Sequence, residues 1–314
     1  MPTLTPSLLE RAETRWAELG TVEPDLIPAI SMQRSLIIRA IDAVAQLSVA
    51  QPPLVTLAPE RVADKLHAGN PALRAEPTTL PVTLLGPLVL SACDDLASGG
   101  VGDIARRVRA CLDKGRIDMG SLLAASFDRN QSAIRVKALH EGIAPDVLWL
   151  AAELAVGPAA HVAQRTVFDP AGGGPHPAIA TALETWPHGY CPSCGSWPAF
   201  GEATDGARHL RCSFCGLGWR PRDAGCSYCG EAGQMTTVKV DLESSHHAVL
   251  CTGCGAYLKW LDLPAPTPFE LLPVEDLAST ALDVLAAQQG FGRPTLPELG
   301  GPERLPCETI EPPR

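Results

Sequence analysis

The sequence predicts an α+β multidomain chain in which a long helical region precedes two small β modules organised by cysteines, and a last helix closes the order. Three observations carry this. Apolar residues recur at helical spacing through roughly the first 186 positions, where Cys93 and Cys111 are the only cysteines. Eight of the other nine cysteines fall into four Cys-x-x-Cys-Gly doublets, "CPSCG" at 191, "CSFCG" at 212, "CSYCG" at 226 and "CTGCG" at 251. Between the two regimes "FDPAGGGPHP", residues 168–177, is too rich in proline and glycine for a continuous helix and reads as a linker.

The helical region shows its stripes in order. Leu8, Leu9, Ala12, Trp16 and Leu19 form one, stopped by Gly20; Ile37, Ile38, Ile41, Val44 and Leu47 form another. "VGDIARRVRACLDKG" supplies Val101, Ile104, Val108, Cys111 and Leu112, and "APDVLWLAAELA" opens with Pro145 at a helix start and runs through Trp149, Leu150 and Leu154. Six to nine helices fit this length. "AIATALETW" predicts one more short helix before the cysteines. After a Pro-rich connection, Leu277, Ala281, Leu282, Leu285 and Ala286 predict one amphipathic helix, followed by an irregular tail from 293.

Composition excludes several function classes. The chain has 314 residues, is 46% hydrophobic and 19% charged, and carries a formal net charge of −10 with a pI near 5.3, which repels nucleic acid and anionic membranes. The N-terminus lacks a basic start followed by an apolar run. The apolar stretches 79–92 and 147–163 are short or interrupted by Pro81, Pro87, Glu153 and Pro158, so neither reads as a span. The expectation is a cytoplasmic protein with no membrane association. In a reducing compartment, clustered cysteines are metal ligands or redox groups, not a disulfide framework.

Two residues between cysteines let both sulfurs face one metal from a tight turn, and the following glycine supplies the positive φ by which the chain leaves. Such knuckles build zinc ribbons and rubredoxin-type iron sites. Between the first two knuckles "WPAFGEA" and "ARHLR" flank "TDG"; between the last two "MTTVKVDL" and "HHAVL" flank "ESS", so each insert predicts a hairpin. Knuckle, hairpin, knuckle and aromatic strand ("LGWR", then "AYLKWL") recur with a period of 35 residues. Sequential pairing follows: Cys191, Cys194, Cys212 and Cys215 in one set, Cys226, Cys229, Cys251 and Cys254 in the other. Interleaved pairing stays open as the alternative. The predicted domains are 1–186, all helical; 187–224 and 225–265, the tandem rubredoxin/zinc-ribbon-like β modules; and 266–314, the C-terminal helix and tail.

Four thiolates leave a metal no open position for water or substrate, which argues against Lewis-acid catalysis. No Ser-His-Asp set or spaced carboxylate pair stands out, so no catalytic residue is assigned and the chain does not read as an enzyme. The ligand type admits structural zinc, rubredoxin-like iron or labile thiolates. His246 and His247 read as exposed strand residues, with His188 and His209 as similar cases, because the sulfur sets are already complete. Cys93 and Cys111 read as small buried hydrophobes, and Cys307 has no partner doublet. Trp197, Phe200, Phe214, Trp219, Tyr228 and Trp260 read as covering the metals in preference to meeting a partner. From 187 to 265, six basic residues face seven acidic ones, which disfavours a nucleic-acid-binding ribbon.

"GYCPSCGSWP", "HLRCSFCGLGW", "CSYCGE", "CTGCGAYLKWLD" and "VEDLASTALDVLAAQQGFGR", in that order, resemble the formate dehydrogenase accessory proteins of the FdhE family. The helical half resembles it more loosely, through layout and "LAAELAVGPAAHVAQR", and "PTLPELG" departs from the family's ending. The resemblance implies a cytoplasmic maturation factor that associates with the formate dehydrogenase catalytic subunit, with its eight knuckle cysteines holding two metal ions, iron in preference to zinc. A homodimer is compatible with it. A rubredoxin-like electron-transfer protein is the runner-up reading.

Overall fold

A computed structural model describes residues 7–294 apart from 51, 100, 171 and 222–224. The expected boundary at 224/225, the irregular tail beyond 294 and Cys307 lie outside the described residues.

Nine helices occupy the first region among the described residues: α1 Leu8–Val22, α2 Ile27–Ser48, α3 Pro59–His67, α4 Val82–Ser98, α5 Gly102–Asp113, α6 Met119–Phe127, α7 Gln131–His140, α8 Pro145–Phe168 and α9 Pro177–Glu184. Their starts are chemically marked. Ser7 and Glu10 form a reciprocal capping box on α1, and Asp118 and Asn130 cap α6 and α7 by accepting from Ser121 N and Ala133 N. Gly20 does not stop α1, which runs to Val22 and gives way before Pro24.

Prolines do not divide the apolar stretches either. Pro87 lies inside α4 and Pro158 inside α8. Each forfeits one intrahelical hydrogen bond, a loss that packing offsets, since α8 is buried from Ala155 to Ala160 and contacts α2, α4, α5, α6 and α7. By length and composition α8 could cross a membrane, contrary to the reading that interrupted it at Pro158; 61% of its most apolar window is buried inside the protein, as in a core helix.

Six strands follow: β1 Pro198–Thr204, β2 Ala207–Cys212, β3 Gly218–Trp219, β4 Met235–Val238, β5 His247–Cys251 and β6 Ala256–Asp262. The first hairpin turns through Asp205 and Gly206, both at positive φ (48° and 79°), which is the two-residue loop that right-twisted strands favour. The second is shorter than expected. β4 ends at Val238, and Asp241 Oδ1 accepts from Glu243 N and Ser244 N, diverting the chain into a local turn in which Leu242 is exposed. The two units fuse into one sheet of order β3-β2-β1-β6-β5-β4, joined by parallel pairing of β1 and β6. At that join Gly201 lies opposite Trp260, and a Cβ there would sit 2.4 Å from the indole.

The C-terminal helix is two: α10 Leu272–Ala278 and α11 Thr280–Gln288. Ser279 breaks them, its hydroxyl donating to the Glu275 and Asp276 carbonyls. Leu271 and Val274 join Trp16, Leu19 and Ile37 in one cluster, while Leu282 and Ala286 pack with Phe200 and Leu250 on the sheet, so the segment fastens both halves. Lys259 on β6 is fully buried and reaches Asp276 at 2.7 Å and Asp283 at 2.8 Å; Arg293 also holds Asp276 at 2.7 Å.

Burial works to raise the Asp276 carboxyl, yet Arg293 and Lys259 hold it below the ordinary carboxylate range. A depressed carboxylate stabilises the fold above its unfolded pKa, about 4, and that stabilisation is lost as pH falls through the folded value. The urea midpoint of Asp276→Asn should therefore trail the wild type most at neutral pH and converge with it on acidification. Lys259→Ala should cost about 3 kcal/mol by urea unfolding, because it strips two carboxylates of their buried partner.

Candidate metal centres

Each knuckle is built by the same local hydrogen bonds. Gly195, Gly216, Gly230 and Gly255 stand at φ of 80°, 75°, 76° and 69°, and each donates its N–H to the first cysteine carbonyl of its doublet. Cys191, Cys212 and Cys226 donate their own N–H to carbonyls five residues on, closing the loop beneath the sulfurs. Backbone N–H groups of Phe214 and Cys215 point at Cys212 Sγ, and that of Tyr228 at Cys226 Sγ, each at 3.4 Å. These donors give the sulfurs hydrogen bonds from the knuckle backbone itself.

The hairpins then bring the knuckles together in sequential pairs. Cys191, Cys194, Cys212 and Cys215 form one set and Cys226, Cys229, Cys251 and Cys254 the other, with all sulfurs in a set within 4.8 Å of one another. The interleaved alternative is not formed. Sulfur separations are 3.6 Å for Cys191 and Cys215, 3.4 Å for Cys194 and Cys212, 3.8 Å for Cys226 and Cys254, and 3.7 Å for Cys229 and Cys251. A tetrahedron with metal–sulfur bonds of about 2.3 Å has edges of about 3.8 Å, whereas a disulfide needs about 2.05 Å. The donor sets thus fit two metal ions, one each.

Surroundings differ between the sets. The first belongs to the main hydrophobic cluster with Leu148, Trp149 and Ala152 of α8, and burial pushes the Cys191 and Cys215 thiols well up. Four thiolates in such surroundings need positive charge close by. His161 on α8 meets Cys215 O through Nδ1 at 2.9 Å and stacks on Phe269. The loop after α3 donates Ala72 N and Leu73 N to Pro192 O and Ser193 O, each at 2.8 Å. Arg129, buried at positive φ (55°), lies over the Phe214 and Trp149 rings, and Arg74 lies within electrostatic reach of Cys194. In the second set Cys229 is exposed and Cys254 partly so; burial raises the Cys226 thiol to about 11.

The other sequence candidates fall outside these sets. Cys93 is buried, its thiol pushed up to about 11 by burial, and Cys111 is buried in the same helical core. The histidines are half-buried, not exposed: His188 stacks on Tyr190, and His246 precedes β5 and accepts from Asp262 N. Phe214 and Trp219 pack with the first set, while Trp197 and Tyr228 meet edge to face at 5.1 Å, linking the first unit to the third knuckle. Phe200 instead joins the sheet's other face, and Trp260 covers Gly201 beneath the Arg208 guanidinium. Sequence reasoning missed Arg74, Arg129 and His161, which no local pattern marks.

Fold and site together define a helical protein with tandem four-cysteine ribbons fused into one sheet, a metal-binding architecture. No protein-family model matches the chain. It is 35% identical over 112 residues to Protein FdhE of Escherichia coli O127:H6, 34% of this chain and 36% of that one. With the FdhE homolog of Pectobacterium carotovorum it shares 33% over 140 residues, 43% and 44% of the two chains. The matched stretches thus span less than half of these curated relatives. The crystal structure of the FdhE protein from Pseudomonas aeruginosa superposes with a TM-score of 0.56 at 24% identity, covering 92% of this chain and 95% of that one, a likeness of fold. The resemblance to the FdhE family is borne out by these matches.

Mild oxidation of metal-free protein, followed by peptide mapping, should yield disulfides within each set and none between the sets.

Proposed function

We propose that the chain is a cytoplasmic accessory factor for formate dehydrogenase maturation and not an enzyme. In this reading the eight knuckle cysteines hold two metal ions, iron in preference to zinc, and the helical domain (1–186) and the two ribbons (187–224 and 225–265), with the 266–314 segment bridging them, present a docking surface to the immature catalytic subunit. The observation that carries it is the pair of closed four-sulfur sets in a fold that matches an FdhE structure along nearly its whole length. Closed sets suit a binding scaffold, because four sulfurs leave a metal no position at which substrate could be activated.

Tagged protein should capture the formate dehydrogenase catalytic subunit, and a deletion strain should lose formate oxidation; normal oxidation in that strain would sink the proposal. Metal analysis of protein purified without chelators should give two equivalents, falling to one in Cys226→Ser. The electron-transfer reading draws on the N–H···S bonds at the knuckles. It requires a visible iron–thiolate spectrum that bleaches reversibly with turnover of a donor, and colourless zinc protein would remove it.

A further inference from the structure

The two cysteine sets repeat one local motif in unlike surroundings. Cys191, Cys194, Cys212 and Cys215 are 0%, 2%, 0% and 0% exposed. One side is sealed by α8, where Gly157 faces the Phe214 carbonyl at a distance that leaves a Cβ in ordinary contact, 3.5 Å away, and His161 meets the Cys215 carbonyl. Another is sealed by the loop bonded to Pro192 and Ser193. Arg129, 4% exposed, is clasped by the rings of Trp149 (4.7 Å) and Phe214 (4.0 Å) and tied to Glu153 at 2.6 Å. Its Nε and Nη1 have no hydrogen-bond partner among the described residues, so the guanidinium, paired with Glu153 through Nη2, keeps two N–H groups uncommitted in the core beside the second knuckle. A divalent ion with four thiolates carries a net charge of −2, and a buried guanidinium offsets part of it where water cannot.

The second set has no such enclosure. Cys229 is exposed, Cys254 is partly exposed, and Gly230, Glu231, Thr252 and Gly253 beside them are exposed as well. Thiolate exchange at a four-coordinate metal requires an incoming ligand to approach as one cysteine swings away. At the first set that motion opens the hydrophobic core; at the second, Cys229 already faces solvent.

Resting on the reading that both sets hold metal, we infer that they divide the work: the first is a permanent structural centre, and the second is an exchangeable one, open to a thiolate ligand from outside the chain. In the exchange the incoming thiol binds the metal as thiolate and its proton passes to the released Cys229 sulfur. One metal–sulfur bond forms as another breaks, and the metal keeps its oxidation state, so no electrons are required.

The test uses the full chain loaded with two equivalents of Zn²⁺, challenged with the chromophoric chelator 4-(2-pyridylazo)resorcinol, with iodoacetamide labelling and peptide mass spectrometry in parallel. One equivalent should leave at least about tenfold faster than the other, as expected when one site opens locally and the other only with the core. Cys229 and Cys254 should be alkylated before any cysteine of the first set. Cys229→Ser should remove the fast equivalent or speed its release further, with the slow equivalent unchanged. Arg129→Gln should speed the slow equivalent and leave the fast one alone. Two equivalents released at one rate, or first-set cysteines labelled first, would overturn the division while leaving metal binding intact. Fully reduced protein that takes up no metal would instead overturn the underlying reading.

Discussion

Cys191, Cys194, Cys212 and Cys215 lie in the same apolar cluster as Leu85, Leu122, Leu148 and Trp149, so the helical layer and the sheet share one core with four sulfurs inside it. Uncharged thiols would leave that junction to apolar packing and to the hydrogen bonds of Ala72, Leu73 and His161, and four unpaired thiolates would be expelled from it. A cation drawn into the set satisfies both conditions at once. The helices' position over the sheet therefore depends on how the first set is closed, and the loop at Ala72 and Leu73, α8 at Gly157 and the buried Arg129 are arranged around that closure.

The second unit is placed by a different device. β6 pairs parallel to β1, and the Lys259, Asp276, Asp283 and Arg293 network ties that strand to the two last helices, with Arg293 reaching back to the Ala199 carbonyl on β1. α10 packs on α1 and α2 while α11 lies on the sheet, so a segment that follows both ribbons in the chain clamps them to the first helix of the protein. Covalent order and spatial order differ here, which makes the long-range contacts more costly to assemble than the hairpins.

What was legible in the sequence was local. A knuckle needs two sulfurs, a turn and a glycine within five residues, and a two-residue turn such as Asp205-Gly206 announces its hairpin; both were read correctly because no distant residue is needed to decide them. Proline and glycine misled where packing overrode propensity: Gly20 and Pro158 sit inside helices whose buried faces supply more than the local defect removes. Ser279 failed to announce its break because its hydroxyl competes for carbonyls only once the helix has begun to form. The fusion of the ribbons and the charge at Arg129 could not be read at all, since a parallel strand pair and a buried cation are properties of residues far apart in the chain.

Repetition of one local motif explains why the two cysteine sets are alike, and topology explains why they are not equivalent. Each repeat carries its own knuckles, so the sulfur geometry travels with the local sequence and is nearly the same in both. The surroundings do not travel with it: the first set lies inside the cluster built on α8, and the second sits toward the other end of the sheet, beyond the β1–β6 join. A repeat placed at the edge inherits the chemistry of its twin without the enclosure. Whatever the buried set gains in permanence, the exposed set retains in access, and that difference follows from strand order before any partner or metal is considered.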